Sequence, residues 1–522
     1  MRKNLLPFLL ILSLLAACLP GAPRPLTPAP LPTLAAPDNR PNILLILTDD
    51  QDMASLAYMP KVKVLLADQG VQFSRFFVNV PLCCPSRSNI LLGQYSHNSH
   101  ILTNARTNGG FQKFYQLGLE ARTIAVALQD HGYYTALLGK YLNGYPKTVE
   151  KTHVPPGWSE WYVPASGNPY RNFNYTLNEN GKLVKYGDKA EDYLTDVLAA
   201  RGVDFIQRTA ASGQPFFLFI STYAPHTPAI PAPRHAALFT EAVAPRDGSF
   251  NEADVSDKPE YVRNHAPRSP QDMAEIDALY VKRLQSLQAV DDLVEQVVNA
   301  LQATGELENT YIFFTSDNGF HLGQHRMMPG KQLPYEEDIR VPFIVRGPGV
   351  PAGQTRDEIA GNVDLASTFG EIAGLPSRAD WDGRSLLSLL HGAPTPSDWR
   401  GAYLIQRWKA KVEDDEESNS QDGSFFSMDV IIRRARGYGV LEPPDLGDLA
   451  AAQAVEVLVY RGLRTSDYLY VEYGTGEREL YDLRVDPYEM DNLALTADPQ
   501  LLQRLSDWLA RLAVCSGEEC RQ

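Results

Sequence analysis

Residues 42–48 read NILLILT, an unbroken apolar run that stops at Asp49, Asp50 and Gln51. A short run with no polar alternation fits a strand buried on both faces. The same signal recurs at 216–221 and at 310–315 (TYIFFT), with further strands expected at 72–77 and 133–138. Between them, apolar residues return at helical spacing over 61–69, 123–130, 193–209, 273–304 and 364–373. Strands alternating with helices predict an α/β fold with a large mixed, mostly parallel sheet sandwiched by helices. Residues 158–189, rich in asparagine, tyrosine and glycine, show weak periodicity and are expected to be a long loop region near the site. After Pro394 the pattern changes to short strands at 402–407, 455–461, 468–473 and 479–483 and a last helix at 499–512. This predicts a smaller C-terminal antiparallel sheet plus helix beside the main domain.

Composition narrows the class. At 522 residues with 44% hydrophobic content, the chain is long enough for a two-part globular protein with a substantial core. A net charge of −15 argues against a nucleic-acid binder, which carries a basic face. Any anionic substrate must therefore be met by positive charge concentrated locally.

The N-terminus carries Arg2 and Lys3 ahead of an apolar run too short to span a membrane as a mature helix. Leu15-Ala16-Ala17-Cys18 resembles the bacterial lipobox, in which the cysteine is lipidated and becomes the new N-terminus. The expected organisation is a lipoprotein-type signal over 1–18, a Pro/Ala-rich tether over 19–40, a catalytic domain over 41–394 and an α+β subdomain over 395–522. The protein is expected to be exported and lipid-anchored at Cys18 in the cell envelope, or secreted if Cys18 is spared. Cys515 and Cys520 can close a short loop in an oxidising compartment. The acidic run 413–417 reads as a solvated loop.

The candidate chemistry gathers at strand ends. Adjacent Asp49 and Asp50 repel unless a cation or a proton intervenes, and a hard divalent ion is their natural occupant. Asp317 and Asn318, after the 310–315 strand, bring a third carboxylate and an amide oxygen to the same sheet edge. This oxygen set fits Ca2+, and Mg2+ is compatible with the same residue types. Cys83 precedes Pro85 and the apolar residues Ile90, Leu91 and Leu92, which places it at a helix N-terminus suited to an anion. Arg87, one turn on, points over the same end. His226 stands between Pro225 and Pro228 at another strand end, with a restricted backbone. Lys140 and Lys331 supply further positive charge.

CCPSRSNILLG (83–93) resembles the sulfatase signature Cys-x-Pro-Ser-Arg-x-x-x-Leu-x-Gly, with Leu92 where that family usually carries threonine. The stretches GYYTALLGK (132–140), PHTP (225–228), SDNG (316–319) and the C-terminal ELYDL (479–483) are similar to further sulfatase motifs, and the last implies a structural role. The resemblance implies an alkaline-phosphatase-like fold and conversion of Cys83, by a formylglycine-generating or sulfatase-maturating enzyme, to Cα-formylglycine. It implies a metal bound by Asp49, Asp50, Asp317, Asn318 and residue 83, charge stabilisation by Arg87, Lys140 and Lys331, and a general acid at His226. Leu142 departs from the pattern, because many members carry histidine there. His321, Gln324 and His325 are candidates for the substrate rim. The wording CCPSRSNILLGQYSHN, GKYLN and PYEEDIRVPF looks most like the glucosamine-6-sulfatase and heparan endosulfatase branch, which implies a 6-O-sulfated amino sugar in a glycan. A broad arylsulfatase, a phosphonate or phosphodiester hydrolase of the same superfamily, and an inactive glycan-binding lipoprotein are the alternatives.

Overall fold

The computed structural model describes residues 38–105, 107–408 and 459–521. The signal segment, Cys18, most of the tether, the acidic run and the first part of the strand expected at 455–461 lie outside these residues. Strand β1 (Asn42–Thr48) is buried along its whole length. Its side chains alternate between two cores: Ile43, Leu45 and Leu47 meet Phe217, Phe219 and Phe313 on one face, while Leu44 and Ile46 meet Leu218, Ile220 and Phe314 on the other. Two-sided burial is why this strand carries no polar alternation.

The strands that follow are β2 (Val71–Phe73), β3 (Phe76–Phe77), β4 (Tyr134–Gly139), β5 (Glu160–Gly167), β6 (Tyr175–Glu179) and β7 (Lys182–Lys185). Then come β8 (Phe216–Ser221), β9 (Thr310–Ser316), β10 (Phe343–Arg346), β11 (Gln354–Arg356) and β12 (Ala360–Gly361). Ten of them form one mixed sheet in the order β11-β2-β10-β9-β1-β8-β4-β5-β6-β7. Its centre, β9-β1-β8-β4-β5, is parallel, and antiparallel strands lie outside it. Helices α1 (Cys83–Leu92), α2 (Ile124–Asp130) and α5 (Asp364–Ile372) pack on one face, with α3 (Leu194–Ser212) and α4 (Pro270–Thr304) on the other. The sequence expectation of a helix-covered, mostly parallel sheet is met.

Several boundaries differ. Residues 158–189 are not a loop region, because they form β5, β6 and β7 at one edge of the sheet. Polar side chains turned inward hide the strand pattern: Asn178 is fully buried, and its amide donates to Tyr145 Oη at 3.2 Å and to the His153 carbonyl at 2.9 Å. The readable signal was Asn180-Gly181, both at positive φ, which turns β6 into β7. The strand expected at 72–77 splits into β2, in the main sheet, and β3, which pairs with β12. Residues 61–69 become two consecutive helical turns, Pro60–Val62 and Lys63–Ala67. Helix α4 starts earlier than its apolar pattern because Ser269 and Asp272 cap each other's backbone N–H and Pro270 takes the first helical position.

The smaller sheet is antiparallel, in the order β13 (Ala402–Arg407), β14 (Tyr460–Thr465), β15 (Tyr468–Tyr473) and β16 (Arg478–Asp482). Helix α6 (Pro499–Leu512) buries Leu505, Leu509 and Leu512 with Tyr403, Leu404 and Leu463 in a core that also takes in Phe77, Tyr95, Ile359 and Val363. A disulfide joins Cys515 and Cys520. The described residues from Asn39 onward form one compact unit.

Candidate active site

Parallel register sets the site. Thr48 pairs with Ser316, Leu47 with Ser221, and Ser221 with Gly139, so β1, β9, β8 and β4 end on one edge. Asp49-Asp50, Asp317-Asn318 and Lys140 therefore leave the sheet together, at the carboxyl ends where open α/β sheets bind ligands. Gly139 has φ +97°, and a Cβ there would lie 1.9 Å from the Ser221 carbonyl oxygen, so the residue that aims Lys140 must be glycine. Asp50 is itself left-handed, at φ +67°. The Asp50 N–H donates to Asp317 Oδ1 at 3.1 Å, fastening the two strand ends to each other.

Cys83 is the first residue of α1 and is buried there. Sγ lies 3.6 Å from Asp49 Oδ1 and 2.7 Å from Lys331 Nζ. Lys331 also pairs with Asp50 Oδ1 at 2.6 Å, and Lys140 pairs with Asp49 Oδ2 at 2.7 Å. Arg87 donates from Nε to Asp317 Oδ2 at 2.8 Å and from Nη1 to Ser221 Oγ at 2.5 Å, while Nη2 stands 3.9 Å from Asp49. His226 donates from Nδ1 to the Thr227 carbonyl at 2.6 Å, which leaves Nε2 facing Asp50 Oδ2 at 3.6 Å. Asp49, Asp50, Cys83, Arg87, Lys140, His226, Asp317, Asn318 and Lys331 thus border one buried cluster.

Burial raises the cost of each charge here, and the neighbours decide the outcome. Burial pushes the Asp49 carboxyl up, but Lys140, His226, Arg87 and Lys331 together hold it far below the usual carboxylate range. Asp50 is likewise held low against burial, chiefly by Lys331 and His226. Burial and Asp49 push Asp317 up to about 6 in spite of Arg87. Burial pushes the Cys83 thiol well above its ordinary range, over the opposing pull of Lys140 and Lys331, so the unmodified thiol is neutral and a weak nucleophile. Burial draws His226 below its usual value against the attraction of Asp50 and Asp49.

The donor set fits a hard cation. Asp49, Asp50, Cys83 and His226 can each bring an atom within 4.8 Å of the others, and the buried Asn318 Oδ1 has no hydrogen-bond partner among the described residues. Three carboxylates and an amide oxygen suit Ca2+ or Mg2+.

Some side chains at the site carried no recognised motif. The Tyr170 ring lies 4.5 Å from the His226 ring and 5.1 Å from Lys140 Nζ, and it belongs to the stretch whose strands went unread. Arg283, fully buried on α4, donates to the carbonyls of Asp50 and Pro225 and pairs with Asp52 at 3.0 Å. Its signal was an arginine between Tyr280 and Leu284, on the apolar stripe of an amphipathic helix. The rim candidates turn inward instead. His321 binds Asp338 at 2.9 Å, His325 binds Glu252 at 2.7 Å, and Gln324 Oε1 accepts from the Leu322 N–H at 2.6 Å. Leu142 is buried in the apolar core.

The chain's relatives identify its family. Residues 41–375 match the Sulfatase family model. The chain is 38% identical over 498 residues to human N-acetylglucosamine-6-sulfatase, covering 94% of this chain and 87% of that one. It is 42% identical over 361 residues to the extracellular sulfatase SULF-1 homolog of Drosophila melanogaster, covering 68% of this chain and 32% of that one. The structure of BT4656 in complex with its substrate D-glucosamine-2-N,6-O-disulfate superimposes with a TM-score of 0.71 at 24% identity, covering 90% of this chain and 97% of that one, which establishes the shared fold. The chain belongs to the sulfatase family, on its N-acetylglucosamine-6-sulfatase branch, and is a sulfuric ester hydrolase.

Proposed function

We propose that the protein removes 6-O-sulfate from N-acetylglucosamine or glucosamine in sulfated glycans, with residue 83 in its formylglycine form and a divalent cation held by Asp49, Asp50, Asp317 and Asn318. The observation that carries the reading is one buried network of three carboxylates and three cationic side chains that reaches the Cys83 sulfur, at a helix N-terminus, through Asp49 and Lys331. When present, the hydrated aldehyde supplies the nucleophilic hydroxyl and the cation lowers its pKa. Lys331, 2.7 Å from the Cys83 sulfur, and Lys140, paired with the Asp49 that borders it, can neutralise oxygens of a sulfate ester. Arg87 holds Asp317 and the α1 terminus in register and keeps Nη2 directed toward Asp49. His226, with Nδ1–H fixed on the Thr227 carbonyl, has Nε2 available to protonate the leaving alkoxide. Its lowered pKa makes it a ready donor once charged. Tyr170 lies beside both His226 and Lys140 and can present an apolar face to a sugar ring.

The glucosamine 6-sulfate preference is supported by the names of the human relative and of the glucosamine disulfate bound to the structural neighbour. Export with lipid anchoring at Cys18 is supported by the Leu15–Cys18 sequence alone. Among the described residues no helix is long and apolar enough to cross a membrane. The deciding experiment has two arms. Peptide mass spectrometry across residue 83 of protein from its native host reads the conversion of thiol to aldehyde. Initial rates on a glucosamine 6-sulfate oligosaccharide, an aryl sulfate and a matched phosphonate ester read the substrate. Activity confined to the aryl sulfate defeats the glycan reading, and preference for the phosphonate defeats the sulfate reading.

A further inference from the structure

A second cluster of possible ligands uses none of the catalytic side chains. His325, Glu337 and Glu489 can each bring one ligand atom within 4.8 Å of the other two. They come from separate segments: the loop after β9, the short helix Glu336–Ile339, and the turn after β16. His325 and Glu489 are each 1% exposed. His325 Nε2, Glu337 Oε2 and Glu489 Oε1 are buried and have no hydrogen-bond partner among the described residues.

The surroundings define what these atoms can hold. Glu252 Oε2 accepts from His325 Nδ1 at 2.7 Å, so the ring hydrogen sits on Nδ1 and Nε2 presents its lone pair. Burial holds the His325 ring below its usual pKa, in keeping with a neutral imidazole. The nearby cations are committed elsewhere. Lys258 pairs with Glu252 at 3.1 Å and Asp257 at 3.3 Å, and Arg464 and Arg340 pair with Glu336 at 2.5 and 3.1 Å. Ser249 Oγ donates to Asp247 at 2.9 Å and reaches Glu337 Oε1 at 3.4 Å, and the Glu336 N–H donates to Glu489 Oε2 at 3.2 Å. Among the described residues neither Glu337 nor Glu489 forms an ion pair. One proton shared between the two carboxyls leaves the imidazole lone pair unmet, and a second carboxyl proton donated to Nε2 is the competing state, since burial pushes Glu337 and Glu489 up. A single cation satisfies all three groups without either proton.

We propose that His325, Glu337 and Glu489 bind one divalent cation of the zinc or manganese class, as a structural site distinct from the catalytic cluster. One imidazole nitrogen and two carboxylates, with a carboxylate behind the histidine, suit these ions, while the nitrogen ligand disfavours calcium. Such an ion ties the β9 loop and the helix at Glu337 to the C-terminal turn. The Gly319 backbone packs on the Glu337 carbonyl, where a Cβ would come within 2.0 Å, so the tie supports the segment that carries Asn318.

The test uses the full chain stripped by chelator and dialysed against Zn2+ or Mn2+. Crystals of the zinc-loaded, unsubstituted protein are expected to show an anomalous peak about 2.0–2.2 Å from His325 Nε2. By mass-spectrometric metal analysis, a D50N/D317N protein, impaired in the catalytic cluster, is expected to keep one zinc per chain, and adding Glu337→Gln and His325→Gln to lose it. Glu252→Gln is expected to weaken zinc binding about 10- to 100-fold through the freed imidazole. No anomalous peak at His325, as a proton-sharing carboxyl pair would give, overturns the proposal without any variant having to fold. So does a zinc content that is unchanged when His325 and Glu337 are replaced.

Discussion

Lys331 and Lys140 look equivalent in charge but differ in what each leaves behind when removed. Asp50 keeps the Asn318 amide at 2.8 Å and His226 at 3.6 Å if Lys331 is lost. Asp49 keeps Arg87 at 3.9 Å, the Cys83 thiol at 3.6 Å and the longer-range attraction of His226 and Lys331 if Lys140 is lost. Lys331→Ala is therefore expected to cut kcat/KM about 100- to 1,000-fold, equal to roughly 2.7–4 kcal/mol of transition-state stabilisation, with little change in urea midpoint. Lys140→Ala is expected to lose a similar factor and, in metal-free protein, also about 3–5 kcal/mol of stability, since a buried carboxylate loses the nearest of its cations. Equal urea midpoints for the two variants would contradict this division. His321 gives a pH-dependent case. Nδ1 meets Asp338 at 2.9 Å and Nε2 meets the Met328 carbonyl at 2.8 Å, so both nitrogens donate and the ring is an imidazolium. Burial lowers its pKa, but Asp338 outweighs burial and raises it above 6.5. A raised folded-state value means that the stabilisation is fully present below about pH 6.5 and is lost as pH climbs through the folded value. The stability gap between wild type and His321→Gln, from urea unfolding at a series of pH values, is expected to narrow as pH rises. A constant gap would show that the ring acts through packing alone.

Among the elements, the legible ones are those whose burial is simplest. β1, β8 and β9 announce themselves because both faces are covered, and their register with one another and with β4 delivers Asp49, Asp317 and Lys140 to one edge. β5, β6 and β7 were unread because Asn178, Tyr175 and Glu160 face inward with hydrogen-bond partners, and such partners are set by distant residues that local pattern cannot supply. Arg283 was missed for the same reason, since its role depends on carbonyls of segments far away in sequence. The motif residues were legible through the resemblance of their stretches to sulfatase motifs, because adjacent acids at a strand end read about as well as a helix cap with a solvated neighbour. The junction of β4 with Lys140 makes the element scale testable. Gly139→Ala forces a side chain into φ +97° and toward an oxygen 1.9 Å away. It is expected to cost about 1–3 kcal/mol from backbone strain alone, read as a lower urea midpoint, and to reduce kcat by displacing Lys140. Full activity with an unchanged midpoint would mean that the strand end yields freely.

At the scale of the whole molecule, charge and site pull in opposite directions. The chain carries a net −15, yet its substrate class is anionic. The cations that face the Cys83 sulfur are buried, with Arg87, Lys140 and Lys331 at 2, 3 and 7% side-chain exposure, and each is matched by an aspartate at 2.6–2.8 Å. Beyond a Debye length, about 8 Å at physiological salt, their field is largely cancelled and an approaching polyanion meets the negative total. Capture must then depend on short-range contacts inside the pocket rather than on steering from a distance. For a multiply sulfated oligosaccharide, kcat/KM is expected to hold or rise as ionic strength goes from about 10 mM to about 150 mM, because salt screens repulsion more than it screens buried pairs. A monosaccharide 6-sulfate, with a single charge, is expected to respond less, and kcat should be flat for both. A steep fall in kcat/KM with salt for the oligosaccharide would instead require an exposed cationic track leading to the pocket, and the net charge would then be a poor guide to the field that the substrate meets.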